Sequence, residues 1–372
     1  MPDLDQTLTS QERDALDFAL GTRRRWAHTM FPALRAEWEA AGFTADDHLV
    51  AREQVHQLAL YPWFSQMERY QQKILWRTVG DIVAARRDEL SLAVPSEPGD
   101  SGASLVIPEN LELPSWYADI DIHVQPGGVW SDELCAHVYE LGARIVMLRG
   151  NDGYGFHNAF VNTAMHDQPV ERIVDFGSGF GKSTWPLAEK WPEAEVISIE
   201  LSEPCTRLAY EHAVEKGLSI TCVQGNVVDT GLADNSVDIV TGTMLLHEMP
   251  TEIIEATLAE AVRILKPGGI LRFLEFCPKN DPVFDAITYE HGDRNNEPFF
   301  YDLFDADTLG HLRDLGMVDT AWVPFDERGG GVSPAGWGER AEWHFPWAVL
   351  WADKPAVDAA TPAADSTMEA VS

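Results

Sequence analysis

Along the chain the apolar positions change rhythm near residue 170. In the first ninety residues they recur at helical spacing: after Ser65, the residues Met67, Tyr70, Ile74, Leu75, Val79, Ile82 and Val83 follow a helical repeat. Thr9-Ser-Gln-Glu12 and Ser65-Gln-Met-Glu68 each set a hydroxyl three residues ahead of a glutamate, a capping-box pattern that predicts a helix start. The stretch VPSEPGDSGASLVIPENLELP is broken by Pro, Gly and Ser and reads as a linker. Beyond it, short apolar runs alternate with amphipathic ones. Strands are predicted at 170–176, 195–201, 220–224, 237–242 and 270–276, with helices at 182–191, 203–217 and 251–265. Such alternation implies parallel strands with helices on both faces, and ligands at the carboxyl ends of the strands. The closing PAVDAATPAADSTMEAVS reads as a disordered tail. The chain thus divides into a helical region at 1–92, a linker at 93–114 and a connecting cap at 115–168. An α/β domain follows at 169–353, then the tail at 354–372.

Composition narrows the class. Hydrophobic residues make up 45% of the chain and there are 13 Trp, which suits a globular protein. Nothing approaches an 18-residue uncharged apolar run, so no membrane span is expected. The acidic start MPDLDQTLTSQERD does not resemble a secretory signal, and Cys135, Cys205, Cys222 and Cys277 lack C-x-x-C spacing. A reduced, cytoplasmic protein without a cysteine zinc site is the plain expectation. Sixty acids against 27 bases give a net charge of -33, which would repel a phosphate backbone and excludes nucleic acid as a partner. Solubility accounts for the charge; steering of a cationic substrate is the alternative.

The stretch IVDFGSGFGKST, residues 173–184, carries the chemistry. Its glycines, Gly177, Gly179 and Gly181, are spaced G-x-G-x-G. A P-loop needs a glycine where Phe176 stands, and the dinucleotide fingerprint needs G-x-G-x-x-G. Features downstream decide between cofactors. VISIELSEP ends its strand with Glu200, about 20 residues past Gly177, as a ribose-binding acid requires. CVQGNVVD sets Asn226 just past the next strand, within reach of an adenine amino group. ADNSVDIVTGTMLLHEMP gives an apolar strand and a loop onto the same crevice, and RILKPGGILRFLEF a helix, a glycine turn and a buried strand.

At these residues, over roughly 145–325, the chain resembles the class I S-adenosylmethionine-dependent methyltransferases, especially the ubiquinone/menaquinone-type and small-molecule branch. The resemblance implies a Rossmann-like α/β domain with a mostly parallel seven-stranded sheet. It implies S-adenosyl-L-methionine as cofactor, with Asp175 towards the ammonium group and Gly177, Ser178, Gly179 and Gly181 along the methionine and ribose. Glu200 would take the ribose hydroxyls, and Leu201, Asn226, Val227 and Thr243 complete the cofactor set. Lys182 reads as a solvated lysine at a helix start.

The implied reaction is in-line transfer of a methyl group to a small-molecule acceptor. His247 is the leading base, or else an anchor for its loop. Glu275 and Tyr289 are further catalytic candidates. TYEHGDRNNEPFF, residues 288–300, is dense in aromatic and ionisable groups and is expected to line the acceptor pocket through His291. WYADIDIHVQPGGVWSDE and GNDGYGFHNAF offer His123, Tyr154 and His157 as substrate-binding residues. No acid cluster resembles the magnesium site of catechol-type enzymes, so no metal is expected. The N-terminal helices are expected to act as a lid, a homodimer contact or both. Rival readings are a non-catalytic cofactor-binding or protein-interaction module, and a protein methyltransferase.

Overall fold

The computed structural model describes residues 4–92 and 94–356, so all but three residues of the predicted tail lie outside it. Nine strands build one sheet: β1 (Ser104–Val106), β2 (Arg172–Phe176), β3 (Glu195–Glu200), β4 (Ile220–Gln224), β5 (Val237–Thr243), β6 (Leu265–Phe276), β7 (Val318–Asp326), β8 (Gly331–Val332) and β9 (Trp347–Asp353). Their order is β1-β4-β3-β2-β5-β6-β9-β7-β8. Neighbours from β1 to β6 run parallel, while β9 lies antiparallel between β6 and β7.

The sheet has nine strands rather than the expected seven because both edges are extended. On one side the stretch read as linker supplies β1, in which Ser104, Leu105 and Val106 align with Thr221, Cys222 and Val223 of β4. A three-residue apolar run between Pro and Gly is too short to stand out by period, yet it is long enough to cap an exposed strand edge. On the other side β8 pairs with β7.

The β2 strand sits where the order reverses, with β3 on one flank and β5 on the other. Its alternation divides the core: Val174 and Phe176 pack on one face of the sheet and Ile173 on the other. Connections leave β2 towards opposite sides, and a crevice opens at its carboxyl end. The helix predicted from 182 begins only at Trp185, because residues 177–184 are consumed by the turn. The helix Glu203–Lys216 is capped at its start by the Ser202 hydroxyl, which accepts from Cys205 N–H, and ends on left-handed Gly217.

In the N-terminal region the capping box at Thr9 and Glu12 forms as expected. The one at Ser65 does not, because the helix Tyr61–Ala84 starts a turn earlier with Pro62 in its first positions. Its apolar stripe of Leu75, Trp76, Val79, Ile82 and Val83 packs against Leu16 and Leu20 and against Leu141 and Ile145 of the helix Cys135–Val146. Its first half instead buries Glu68, Gln71 and Gln72. Glu68 meets His291 and Arg294 on the helix Pro282–Asn295, which follows β6. The N-terminal helices therefore dock on the α/β domain through buried charge and through an apolar cluster in which Trp26, Phe31 and Phe64 meet Val283, Phe284 and Ile287. No described helix is long and apolar enough to cross a membrane.

Candidate active site

The turn after β2 shapes the crevice. Gly177 has φ 63° and a β-carbon there would come within 2.5 Å of Leu245 Cδ1; Gly181 has φ 95°, and its β-carbon would meet Trp185 Nε1 at 2.9 Å. Both positions need left-handed backbone and close packing together, which only glycine combines without strain. Two contacts tie the turn to β3: Gly177 N–H donates to Ile199 O at 2.8 Å, and Gly179 N–H donates to Glu200 Oε2 at 2.9 Å. The other oxygen of Glu200 accepts Ser202 N–H at 2.8 Å, and burial raises the carboxyl.

Asp175 lies beneath the turn rather than on the crevice wall. Its Oδ2 accepts the hydroxyls of Ser183 and Thr184 at 2.7 and 2.6 Å, which braces the start of the following helix. Its buried Oδ1 finds no partner, and burial raises the carboxyl to about 6.

The cleft above encloses about 850 Å³, part of it open to solvent. Gly177, Ser178, Gly179, Glu200, Leu201, Val227 and Thr243 line it, so most of the cofactor residues expected from sequence share one wall. Gly181 shapes the turn from behind, and Asn226 is turned back, its Oδ1 accepting Val228 N–H. Lys182 departs from expectation: it lines the cleft beside Phe180, and burial lowers its ammonium to about 8. The connecting cap closes the cleft with Trp116, Tyr117, His123, Val129 and His157. His157 takes Asn151 Nδ2 at 3.0 Å and burial holds it well below its usual pKa. Tyr154 stays outside, edge-on to Trp185, and lines a smaller neighbouring hollow with Lys182.

The loop after β5 makes the chemical end of the site. Glu275, fully buried on β6, accepts the backbone N–H groups of Leu245 and Leu246, the latter at 2.7 Å, and meets His247 Nδ1 at 2.8 Å. Glu275 is therefore committed to holding the loop, and it does not line the cleft. Burial pushes the His247 imidazole down, but Glu275, with Glu248 and Glu297 beyond it, outweighs this and raises it to about 9.

His247, Glu248 and Glu297 line a second hollow of about 340 Å³, which shares Trp116, Tyr117, Val129 and Glu248 with the main cleft. Glu297 was not among the site residues expected from sequence, although it lies in a stretch singled out there, and Glu248 adjoins the expected base His247. Tyr289 is placed elsewhere, and His291 lies behind Glu297, its Nε2 3.8 Å from Glu297 Oε1, without lining either hollow. Tyr289 stacks on His48 and donates to Asp305, and His291 Nδ1 faces Glu68 at 2.6 Å. Nearly every residue of the helix Pro282–Asn295 is buried, so several of its polar groups serve packing against the N-terminal helices.

A glycine turn and a strand-end acid meeting at the switch point of a doubly wound sheet define a Rossmann-like nucleotide-cofactor domain. Residues 173–269 match the family model described as a methyltransferase domain. A demethylmenaquinone methyltransferase from Thermus thermophilus is 29% identical over 127 residues, 34% of this chain and 56% of the relative. One from Deinococcus radiodurans is 31% identical over 149 residues, 40% and 60% of the two chains. Malonyl-[acyl-carrier protein] O-methyltransferase 1 of Coxiella burnetii is 30% identical over 142 residues, 38% and 46%. The chain thus spans about half the length of these relatives. The solved mitomycin 7-O-methyltransferase covers 59% of each chain at 14% identity and a TM-score of 0.42, too loose a superposition to transfer residues. These matches support a class I S-adenosylmethionine-dependent methyltransferase domain over residues 173–269.

The family's cofactor, S-adenosylmethionine, fits the residues present. Ser178 Oγ and Thr243 Oγ1 are buried at the cleft without a hydrogen-bond partner among the described residues, as polar atoms awaiting a ligand would be. Glu200 has spent one lone pair of each oxygen on backbone, and its carboxylate keeps capacity for two hydroxyls.

Proposed function

We propose that this protein transfers a methyl group from S-adenosylmethionine to a small-molecule acceptor. The observation that carries the reading is the pair of joined hollows, the cleft lined by the glycine turn and Glu200 and a second one beside it, covered by the same aromatic cap. Bound there, the cofactor would supply a methyl group on a positively charged sulfur for in-line displacement.

The chain's part is binding, alignment and exclusion of water. Glu200 accepts from the ribose hydroxyls, and Lys182 is suited to the methionine carboxylate. Asp175 acts from beneath, keeping the turn fixed. Trp116 and Tyr117 line both hollows, and Trp130 and Phe299 add apolar wall on the acceptor side. Its reacting end faces His247, Glu248 and Glu297. The Glu275 contacts hold His247 in one orientation, so His247 serves as a fixed polar contact for the acceptor. A recess walled by Trp116, Tyr117, Trp130 and Phe299 favours a metabolite over a protein side chain.

Calorimetry of the full chain tests the reading. S-adenosylmethionine and S-adenosylhomocysteine should each bind once per chain, while NAD and ATP should not. A folded protein that binds neither sulfur compound would remove the proposal.

A further inference from the structure

Where the two hollows meet, four ionisable groups converge from three separate segments of chain. We propose that His123, His247, Glu248 and Glu297 form a binding site for one divalent first-row transition-metal ion, zinc foremost. The inference goes beyond methyl transfer and does not depend on it, and it reverses the expectation of a metal-free protein.

Spacing is the first ground. Donor atoms of His123, His247 and Glu248 all lie within 4.8 Å of one another. His123 Nε2 is 3.4 Å from Glu248 Oε1 and 4.0 Å from Glu297 Oε1; His247 Nε2 is 4.0 Å from Glu248 Oε1 and 3.9 Å from Glu297 Oε2. These separations are long for hydrogen bonds. They are close to those of ligands sharing a tetrahedral ion, which stand about 3.4 Å apart when each bond is about 2.1 Å.

Glu297 supplies the second. Its side chain is only 4% exposed and accepts no hydrogen bond among the described residues. An unpaired carboxylate in that position is costly unless a proton or a cation neutralises it. Its oxygens point instead at imidazole Nε2 atoms, including that of His291 at 3.8 Å.

The third ground is the tautomer. With Nδ1 of His247 hydrogen-bonded to the buried Glu275 carboxylate, its Nε2 is the atom turned to the cluster. Metal-bound histidines are characteristically held this way by an outer carboxylate. His123 Nδ1 is buried without a partner, and its Nε2 also faces the cluster. Two imidazoles with two carboxylates favour zinc, manganese or iron over magnesium or calcium, and the two acids balance a double positive charge. The position, with Glu248 on both cavity walls, sets the ion against the acceptor chamber.

The test uses the full chain, stripped with chelator and titrated with zinc chloride by calorimetry, with cobalt(II) absorption as a second probe. One zinc per chain is expected. Glu297→Gln and His123→Asn should each weaken it by more than about 100-fold, and Glu275→Gln by about 10–100-fold, the usual effect of losing an outer partner. Circular dichroism checks that each variant is folded; should Glu297→Gln unfold, His123→Asn, at the cap, carries the comparison. A folded wild type that binds no zinc overturns the site, as does unchanged zinc affinity in both ligand variants. Titrating S-adenosylmethionine into the same stripped protein separates this outcome from failure of the methyltransferase reading.

Discussion

Replacing Glu200 with alanine probes the joint between turn and cofactor. The carboxylate does two things in the structure: it accepts Gly179 and Ser202 N–H, and it faces the cleft with its remaining lone pairs. Charge-assisted hydrogen bonds contribute about 1.5–3 kcal/mol each, but the two ribose hydroxyls exchange bonds with water for bonds to one group. We therefore expect the pair together to account for about 1.5–3 kcal/mol, or about 10–150-fold in Kd. Losing the acceptor for Gly179 N–H should also lower the unfolding free energy by about 1 kcal/mol. Glu200→Gln keeps one acceptor oxygen and should fall between wild type and alanine in both respects. Calorimetry with S-adenosylhomocysteine, alongside thermal melts, reads both effects. A folded Glu200→Ala protein whose Kd stays within about threefold of wild type would falsify the placement of the ribose.

Glu275→Ala strips Leu245 and Leu246 N–H of their acceptor and unpairs a buried imidazole, so it should cost about 3–5 kcal/mol of stability; an unchanged melting temperature would mean that Glu275 does not hold the loop. Glu12 is held down to about 2, chiefly by the Arg86 guanidinium, against an ordinary value of 4.5. Its contribution to stability is thus complete above about pH 4.5 and fades as pH falls towards 2, so Glu12→Gln should flatten the melting temperature's dependence on pH in that window, and a curve as steep as wild type's counts against the pair. Deleting residues 1–92 removes the partners of Leu141 and Ile145 and takes Glu68 away from His291 and Arg294 in a newly exposed surface. Aggregation in light scattering is expected; a monodisperse truncated chain with intact cofactor binding would show that the helices are an appendage.

Much of the α/β domain was legible because its signals are local. Strand β4 falls at the predicted residues, and Glu200 and the glycine turn meet as their spacing implied. Errors came where one residue type serves two purposes. Ser65 and Glu68 have the spacing of a cap, but Glu68 is needed for a buried contact with a helix more than 200 residues later in the chain. Lys182 follows a glycine turn, and only the position of Phe180 and the cap shows that it lines the cleft instead of standing in solvent. Tyr289 and His291 were sought in the right segment, yet a helix buried on all sides has no period by which to tell a pocket face from a packing face. Glu248 and Glu297 converge on His123 only through the tertiary fold, and no sequence spacing links them.

Label transfer decides whether this chain moves a methyl group onto a small molecule. The full chain, incubated with methyl-labelled S-adenosylmethionine and a low-molecular-weight cell extract, is followed by mass spectrometry of both the small-molecule and protein fractions. The account predicts a small-molecule product heavier by the labelled methyl, formed by wild type and lost in Glu200→Ala at subsaturating cofactor. Label found only on protein would contradict it, and so would a chain that binds the cofactor while the label never leaves it.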